Sequence, residues 1–560
     1  MYQQVYDPVG DSLGLSAIFA ALPILTLFVL LGGVKMKAQW ASLISLAMAL
    51  VVAVVVYPMP IGQALDSTAE GAAFGLFPIV WIVVNAVWLY NITVRTGDFA
   101  VLRRSFAKVS DDQRIQAIII AFSFGALLEA LAGFGTPVAI TSVMLIALGF
   151  QPIKAAAVAL VANTAPVAFG AIAIPIITLE SVSEIPKEDL GAMVGRQTPI
   201  LALVVPLVLV AIVDGTRGIR AVWPAALTGG LSFAVAQFAT SNYISVELTD
   251  IVASLASVVS LVLMLRVWQP AEPLTNAEDM KAGGGGQRPA IAGAESANPA
   301  LEADIRRRDQ QHDSRGDVIR AYLPYVVIIA VFGLAQWSPV KNWLAGNTTK
   351  EFEWPGLDIT NADGKPLTSL TFKFDWLQAA GTLLLISGLI TIAALRVNLR
   401  DAGKVYLESL DQLKWAILTV ATVLGLAYVM NQSGQTITLA MWMAGAGGAF
   451  AFLSSILGWI GVAITGSDTS SNALFGALQV TAAKDTGLDP TLLAAANSSG
   501  GVLGKMISPQ NLAIGAAAVG MAGEEGTLFR RVLGWSVLLV LIMAVVVYLQ
   551  STSLLSWMVV

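Results

Sequence analysis

The chain has 560 residues, of which 56% are hydrophobic and 12% charged, and its formal net charge is −5. Soluble domains carry about a quarter charged residues, so this composition excludes an ordinary soluble protein. Cysteine is absent and the only histidine is His312, which argues against metal binding, thiol chemistry and Ser–His hydrolysis. We therefore expect no enzyme activity, no cofactor, no metal and no nucleic-acid partner.

Apolar segments of about 20 residues, the length that crosses a bilayer, recur along the whole chain. The predicted spans of the first half are 13–31, 38–57, 71–93 and 115–132, a broken region at 133–176, then 198–213, 221–240 and 247–266. Those of the second half are 319–336, 376–395, 413–430 and 437–460, a broken region at 461–520, and 531–549. The pattern predicts an all-α polytopic membrane protein with about 12–14 transmembrane helices.

Basic residues are concentrated in alternate loops between these spans. The clusters lie at 35–37, 95–114, 217–220, 306–308, 396–404 and 530–531. Because basic loops stay in the cytoplasm, we predict that the N terminus, the acidic loop 180–191 and the segment 337–375 lie outside. This path requires each broken region to cross the membrane once, and it places the C terminus outside.

A polar segment, 267–318, divides the chain into two halves. It is rich in Gly, Ala, Pro and charged residues, which predicts a flexible cytoplasmic linker. The predicted units are a first repeat at 1–213, a connecting helix pair at 214–266, the linker, a second repeat at 319–549 and a C-terminal tail at 550–560. In the outer segment, polar and apolar residues alternate around Asp363-Gly364, which suggests a small hairpin.

The two broken regions share one order of features. Each begins with glycine and small polar residues, turns at Gly-x-x-Pro (149–152 and 487–490) and resumes as an Ala-rich helix. That helix is predicted to break at Ala162-Asn163 in the first region and at Ala496-Asn497 in the second. Similar order in halves that start on opposite sides of the membrane is what an inverted-topology repeat requires.

Broken helices inside a membrane provide unpaired backbone groups, which must be buried in protein or line a wet cavity. Their N-terminal N–H groups carry partial positive charge and suit an anion, so two such breaks predict an anion site at the repeat interface. The candidate lining residues are Gly133, Gly135, Thr136, Asn163, Thr164, Thr469, Ser470, Asn472, Asn497 and Ser498. In the alternative interpretation these small polar residues only permit close helix packing or cap helix ends.

Three of the ionisable residues inside the broken regions or at their edge are candidates for a function. Charges at membrane depth usually serve a function, so Glu129 and Asp468 are candidate proton carriers and Lys505 a candidate cation for an anionic substrate. Structural alternatives exist for each. Glu129 could cap the turn at 133–136, Asp468 could be a helix N-cap, and Lys505 could reach the membrane interface or pair with either acid.

Four blocks of the sequence resemble the bacterial L-lactate permease family. They read "SFGALLEALAGFGTPVAI", "VANTAPVAFGAIAIP", "TGSDTSSNALFGALQ" and "AANSSGGVLGKMISPQNLAIGAAAVG". The resemblance implies a secondary transporter of small 2-hydroxymonocarboxylates (L-lactate, D-lactate, glycolate) in the bacterial inner membrane, driven by proton symport. It also implies inverted repeats with paired hairpins and elevator-type movement. A homodimer is compatible with this architecture.

Other functions are distinguishable by experiment. A sodium-coupled carboxylate transporter would need a sodium gradient and no pH gradient. A channel would pass anions without saturation. A membrane-embedded enzyme would need a nucleophile with its base or a metal set, and the lack of cysteine and of histidine in the predicted spans argues against both.

Overall fold

Helices form most of the computed structural model, which describes residues 2–34, 36–107, 109–110, 112–133, 135–274, 313–362, 364–367, 370–521 and 524–560. Within these ranges, nine helices are long and apolar enough to cross a membrane, or ten if the bent pair Pro152–Ala162 and Val167–Ser183 is one span. The prediction of an all-α polytopic membrane protein is confirmed. The predictions for Lys35, Lys108, His312 and the linker residues 275–312 concern residues outside these ranges.

The described part of the first half contains twelve helices, several of them joined by short π-helical or 3₁₀ stretches. They are α1 (Leu13–Phe28), α2 (Ala38–Val55), α3 (Ile61–Phe74), α4 (Trp81–Thr96), α5 (Asp98–Ala107), α6 (Gln113–Gln116), α7 (Gly125–Ala132), α8 (Thr136–Ala147), α9 (Pro152–Ala162), α10 (Gly170–Ser183), α11 (Lys187–Tyr243) and α12 (Thr249–Leu265). Two predicted spans, 198–213 and 221–240, lie in the single 57-residue helix α11. It bends where Asp214, Gly215 and Val222 leave helical backbone angles, so two helical segments joined across a kink correspond to the two predicted spans.

The described part of the second half adds ten helices. They are α13 (Arg315–Gln336), α14 (Ser338–Thr348), α15 (Ala380–Leu395), α16 (Leu399–Ser433), α17 (Gln435–Ala444), α18 (Phe450–Thr465), α19 (Asp468–Thr486), α20 (Pro490–Gly501), α21 (Pro509–Ala518) and α22 (Glu525–Gln550). One apolar core runs through both halves, since buried side chains of almost every long helix belong to one continuous cluster.

Four short strands, β1 (Tyr2–Gln3), β2 (Thr349–Glu353), β3 (Ile359–Thr360) and β4 (Thr371–Asp375), lie together on one side of the bundle, which we call the strand face. Strands β2 and β4 pair antiparallel, and β1 pairs parallel with β3, so the N terminus is tied to the segment 337–375. The antiparallel pair joins Thr349–Glu353 to Thr371–Asp375, and Asp363, at the centre of the predicted hairpin, lies outside the described residues. The Tyr2 hydroxyl also donates to the carbonyls of Tyr57 (2.7 Å) and Ser433 (2.9 Å), where α2 and α16 end.

The opposite side of the bundle, which we call the basic face, carries a buried ion-pair network. Arg114 binds Asp112 at 2.6 Å and Asp214, at the bend of α11, at 3.1 Å. The start of α11 lies on the strand face, because Glu188 pairs with Lys341 of α14 at 3.4 Å. At 1.5 Å per residue, the helix from Glu188 to Asp214 covers about 40 Å, which is enough to cross a bilayer.

The two broken regions fold in the same order. In each, a helix (α7 or α18) ends at a glycine break and a helical hairpin follows (α8–α9 or α19–α20). A second break with a short 3₁₀ turn then leads into a further helix (α10 or α21). The 3₁₀ turns, Val167–Phe169 and Lys505–Ile507, each begin fifteen positions after the hairpin proline, Pro152 or Pro490.

This register corrects the predicted pairing of Asn163 with Asn497. Asn163 directly follows α9, as predicted, but Asn497 lies within α20, one turn before its last residue, Gly501. The predicted break at Ala496-Asn497 is therefore wrong. The sequence pattern misled because alanine, asparagine, serine and glycine recur within one turn of α20, and Ala-Asn alone does not end a helix.

The two regions pack against each other reciprocally. The helix after the second break of the first region, α10, packs on α19, and its counterpart α21 packs on α8. The hairpin ends lie on opposite faces. Lys154, at the start of α9, donates to the Val213 carbonyl at 3.2 Å near the basic face, whereas Lys484, near the end of α19, lines a cavity with Gln4 and Asn361 on the strand face.

Candidate functional site

A cavity of about 970 Å³ lies between the two broken regions. Its mouth is toward the basic face, because Lys37, which lines it, directly precedes α2, and Trp415, which also lines it, lies 18 residues before the end of α16; both helices end near Tyr2 on the strand face. The predicted site residues that line it are Glu129, Gly133, Gly135, Asp468, Thr469, Ser470 and Lys505. The volume is at the upper end of the range for small-molecule pockets, so a small anion with several waters would fit.

Glu129 and Lys505 form a buried ion pair on the wall of this cavity. Lys505 Nζ lies 2.6 Å from Glu129 Oε1, although the two residues are 376 positions apart in the chain. Glu129 is 3% exposed and Lys505 7%. Of the alternatives open for Lys505, the structure has the pairing with Glu129, and among the described residues the partner of its ammonium group is a carboxylate from the other half of the chain.

Asn163 completes the surroundings of Glu129. Its Nδ2 donates to Glu129 Oε2 at 2.9 Å, and its Oδ1 is buried with no hydrogen-bond partner in the described structure. Both carboxylate oxygens are thus engaged by side chains. Among the described residues the Glu129 side chain accepts no hydrogen bond from the turn at 133–136. These contacts therefore do not support the interpretation that Glu129 caps that turn.

The backbone beside Glu129 is irregular at both breaks of the first region. Gly133 and Gly135 have φ of +35° and +83°, and Ala171, Ile172 and Ala173 have φ of 45°, 59° and 60°. The left-handed region costs about 1–2 kcal/mol per residue for side chains other than glycine. Tertiary packing must therefore hold 171–173 in place, and no sequence feature predicted this segment.

Asp468 is the first residue of α19, and it is not the helix cap. Ser467 is the N-cap, accepting a hydrogen bond from the Ser470 amide, so the predicted N-cap alternative is wrong. Asp468 Oδ2 accepts from Ser498 at 2.5 Å and weakly from Asn472 at 3.5 Å. Its Oδ1 is buried and has no hydrogen-bond partner in the described structure.

Six predicted residues do not line the cavity: Thr136, Asn163, Thr164, Asn472, Asn497 and Ser498. Three of them, Asn163, Asn472 and Ser498, contact the acids that do. Asn472 also donates to the Pro175 carbonyl at 3.0 Å, and its Oδ1 accepts from Asn497 at 2.9 Å. The Thr164 hydroxyl donates to the Val161 carbonyl at 2.7 Å and is fully buried. Asn163, Asn472 and Ser498 therefore bind the two lining acids from outside the cavity.

Sequence reasoning missed two polar residues. Asn511, in the first turn of α21, lines the cavity and donates to Ser508 Oγ at 2.8 Å. Asp250 is buried in α12, where Oδ1 accepts from Gln237 at 3.1 Å and Oδ2 has no partner in the described structure. An acid within an apolar helix was the available signal for Asp250.

The described residues contain no cluster of three His, Cys, Asp or Glu side chains that could hold a metal ion.

Comparisons with known proteins agree over the whole chain. The family model "L-lactate permease" matches residues 16–554. The chain is 42% identical to the L-lactate permease of Bacillus subtilis over 100% of both chains. It is 43% identical to the glycolate permease GlcA of Escherichia coli K12 over 98% of both, and 42% identical to the L-lactate permease of that strain over 100% of both.

A solved structure, the YdaH transporter of Alcanivorax borkumensis, aligns with 86% of both chains at a TM-score of 0.44 and 14% identity, a likeness too weak to support a conclusion. The family match and the identities above extend over nearly every element described here. This multi-pass membrane protein belongs to the L-lactate permease family.

Proposed function

We propose that this protein takes up L-lactate, and also D-lactate and glycolate, across the bacterial inner membrane by proton symport with alternating access. The names of its relatives support the substrates. The observation that supports proton coupling is the buried pair of Glu129 and Lys505 on the cavity wall. Its two partners come from different repeats, and one of them can be neutralised by a proton.

The pair links the proton to the substrate through one ammonium group. While Glu129 is charged it neutralises Lys505, and the cavity has little positive charge to offer an anion. Protonation of Glu129 removes that partner and leaves a buried ammonium group uncompensated, which is unfavourable until an anion arrives. A substrate carboxylate then takes the place of the Glu129 carboxylate beside Lys505.

Neutral side chains in the lining of the cavity provide the remaining polar contacts. Thr469 and Ser470 in the first turn of α19 and Asn511 in the first turn of α21 line it with neutral side chains. A 2-hydroxy acid has one hydroxyl group next to its carboxylate. The neutral side chains of Thr469, Ser470 and Asn511 can form hydrogen bonds with that hydroxyl without adding charge to the cavity. Asp468 lies beside them and is the second candidate proton carrier.

The architecture of transport follows from the two similar broken regions. We propose that 1–213 and 319–549 are inverted repeats, that 214–266 connects them and that 550–560 is a tail. The positive-inside rule places the basic face in the cytoplasm and the N terminus outside. With that orientation the main cavity faces the cytoplasm, and elevator-type movement would carry the hairpins and the ion pair toward the strand face.

The experiment is proton-driven accumulation of lactate in proteoliposomes, compared with lactate counterflow, which needs binding and turnover without a proton gradient. Glu129→Gln should abolish accumulation, preserve counterflow and make lactate binding independent of pH. Asp468→Asn, a matched removal of the other buried acid, should retain accumulation. Intact coupling in both single variants and in the double variant would exclude these acids as proton carriers.

A sodium-coupled transporter is the second candidate, and Asp468 Oδ1 is the observation that favours it. A buried carboxylate oxygen without a partner is the type of ligand that a hard cation prefers. A sodium gradient without a pH gradient should then drive accumulation, and Asp468→Asn should abolish it. Accumulation that follows only the pH gradient would exclude sodium coupling.

A further inference from the structure

A second cavity, of about 330 Å³, opens on the strand face. Its walls come from the N-terminal segment, the outer segment, the ends of α10 and α19, and the junction of α16 with α17. The polar lining includes Gln4, Ser183, Asn361, Asn431, Thr481 and Lys484. The main-cavity function uses none of these residues, although the volume is large enough for a three-carbon acid and water.

The two cavities lie in series along the same three helices. The main cavity is lined by Pro175 of α10, Val420 of α16 and Ser470 of α19, and the second by Ser181, Tyr428 and Ala477 of the same helices. The intervals of six to eight residues correspond to about 9–12 Å of helix. The second cavity is therefore the strand-face counterpart of the main one, separated from it by roughly two helical turns.

The layer between the cavities is tightly packed. Gly476 of α19 lies against α10, and a Cβ atom at this position would be 2.6 Å from Val182 Cγ2 and 2.7 Å from Leu179 Cδ1. The Asn472 side chain donates to the Pro175 carbonyl at 3.0 Å in the same layer. In this conformation the layer closes the path from the strand face to the Glu129–Lys505 pair.

Lys484 is the cation of the second cavity. It lies in the last turn of α19, where the partial negative charge of the helix carbonyls attracts a cation, and no ion pair or hydrogen bond holds its side chain in the described structure. Asn431 also lines the cavity. Its Oδ1 accepts from Thr436 at 2.5 Å, whereas its amide nitrogen has no hydrogen-bond partner among the described residues.

These groups match the chemistry of a small hydroxy acid. The ammonium group of Lys484 can receive a carboxylate, and the amide of Asn431 and the hydroxyl of Thr481 can bond the adjacent hydroxyl. Glu184 lines the same cavity, so its carboxylate offsets the positive charge of Lys484. A ligand with one carboxylate is then favoured over a ligand with two, and it binds weakly enough to be released toward the main cavity.

We propose that the strand-face cavity is a second binding site for the 2-hydroxymonocarboxylate, occupied before the closing layer opens toward the main cavity. This inference rests on the proposed transport function. Lys484 binds the carboxylate only on the strand face, so its contribution is to the apparent affinity for substrate arriving from that side. The main site and the rate of turnover do not depend on it.

The test measures lactate transport from each side, in right-side-out and inside-out membrane vesicles. Lys484→Gln should raise KM by about three- to tenfold for lactate presented to the strand face, with an unchanged maximal rate and an unchanged KM from the basic face. Lys484→Arg should retain most of the affinity. Lys341→Gln is the matched control, because Lys341 carries the same charge on the same face but lies outside the cavity.

Each outcome separates the two proposals. An equal rise in KM from both sides would place the effect at the main site and overturn the proposed strand-face site. A wild-type KM for Lys484→Gln from the strand face would also overturn it. If Lys484→Gln does not fold, Thr481→Val must show the same one-sided change for the proposal to hold. Failure of the wild-type protein to transport lactate from either side would instead contradict the proposed function.

Discussion

The two broken regions each place one buried acid beside the main cavity, but the acids have different surroundings. Glu129 has both oxygens engaged, one by Asn163 of its own half of the chain and one by Lys505 of the other half. Asp468 has one oxygen bound by Ser498 of its own region and one without a partner. A movement of one broken region against the other would therefore alter the contacts of Glu129, whereas Asp468 could keep its bond to Ser498.

The largest expected effect comes from Lys505→Met, which leaves Glu129 buried without its cation. Breaking a buried pair on one side costs about 3–5 kcal/mol of stability. We expect thermal unfolding in detergent to reflect that loss, and lactate counterflow to fall about 100-fold or more because the substrate carboxylate loses its ammonium partner.

The double variant Lys505→Met/Glu129→Gln sharpens this result. With neither charge present, stability should return to within about 1–2 kcal/mol of the wild type, because no buried charge is left unpaired. Counterflow should stay as low as in Lys505→Met. A double variant as unstable as the single one would show that the pair is not the source of the loss.

Gly170→Ala tests the position of the Glu129 carboxylate without changing any charge. A Cβ atom at Gly170 would lie 2.9 Å from Glu129 Oε1 and 3.1 Å from its Cγ, so the acid must move. A displacement of this size can lower turnover strongly, and we expect proton-driven accumulation to fall about tenfold or more. Gly403→Ala is the control, since open space surrounds that glycine. Equal activity of the two variants would mean that the exact placement of Glu129 has no importance.

Gly501→Ala is the corresponding change beside Asp468, with a smaller expected effect on transport. The added Cβ atom would lie 2.5 Å from Asp468 Oδ1 and 2.8 Å from Val462 Cγ2. Overpacking of this kind costs about 1–3 kcal/mol, which thermal unfolding should show. Because Oδ1 has no partner to lose, we expect accumulation to fall about threefold or less. A larger loss than in Gly170→Ala would reverse the ranking of the two acids.

Local features of the sequence were sufficient for much of the fold. Long apolar segments predicted the membrane spans, and the Gly-x-x-Pro turns predicted both helical hairpins, because each of these signals acts within a few residues. The register between the two regions was wrong at Asn497. A repeated small-residue pattern cannot say which turn of a helix is the last, since that depends on the packing of α20 against α18 and α19.

The candidate site was predictable in composition and only partly in geometry. Glu129, Asp468 and Lys505 stand out in any apolar segment, and all three line one cavity. Asn163, Asn472 and Ser498 were predicted as substrate ligands, but they hold these acids from behind. Asn511 was missed because asparagine near a helix start also serves as a cap, so its type and position do not by themselves indicate a binding site.

The sequence by itself determined the membrane setting, the two broken regions and the presence of a few ionisable groups at depth, because apolar length, glycine and proline act locally. Only the tertiary structure decided that Lys505 contacts Glu129 and not Asp468, across 376 positions of chain. It also decided that Ser467 caps α19 in place of Asp468. The physical reason is the same in each case: a buried charge takes the partner that packing brings within bonding distance, and that distance is a property of the assembled helices.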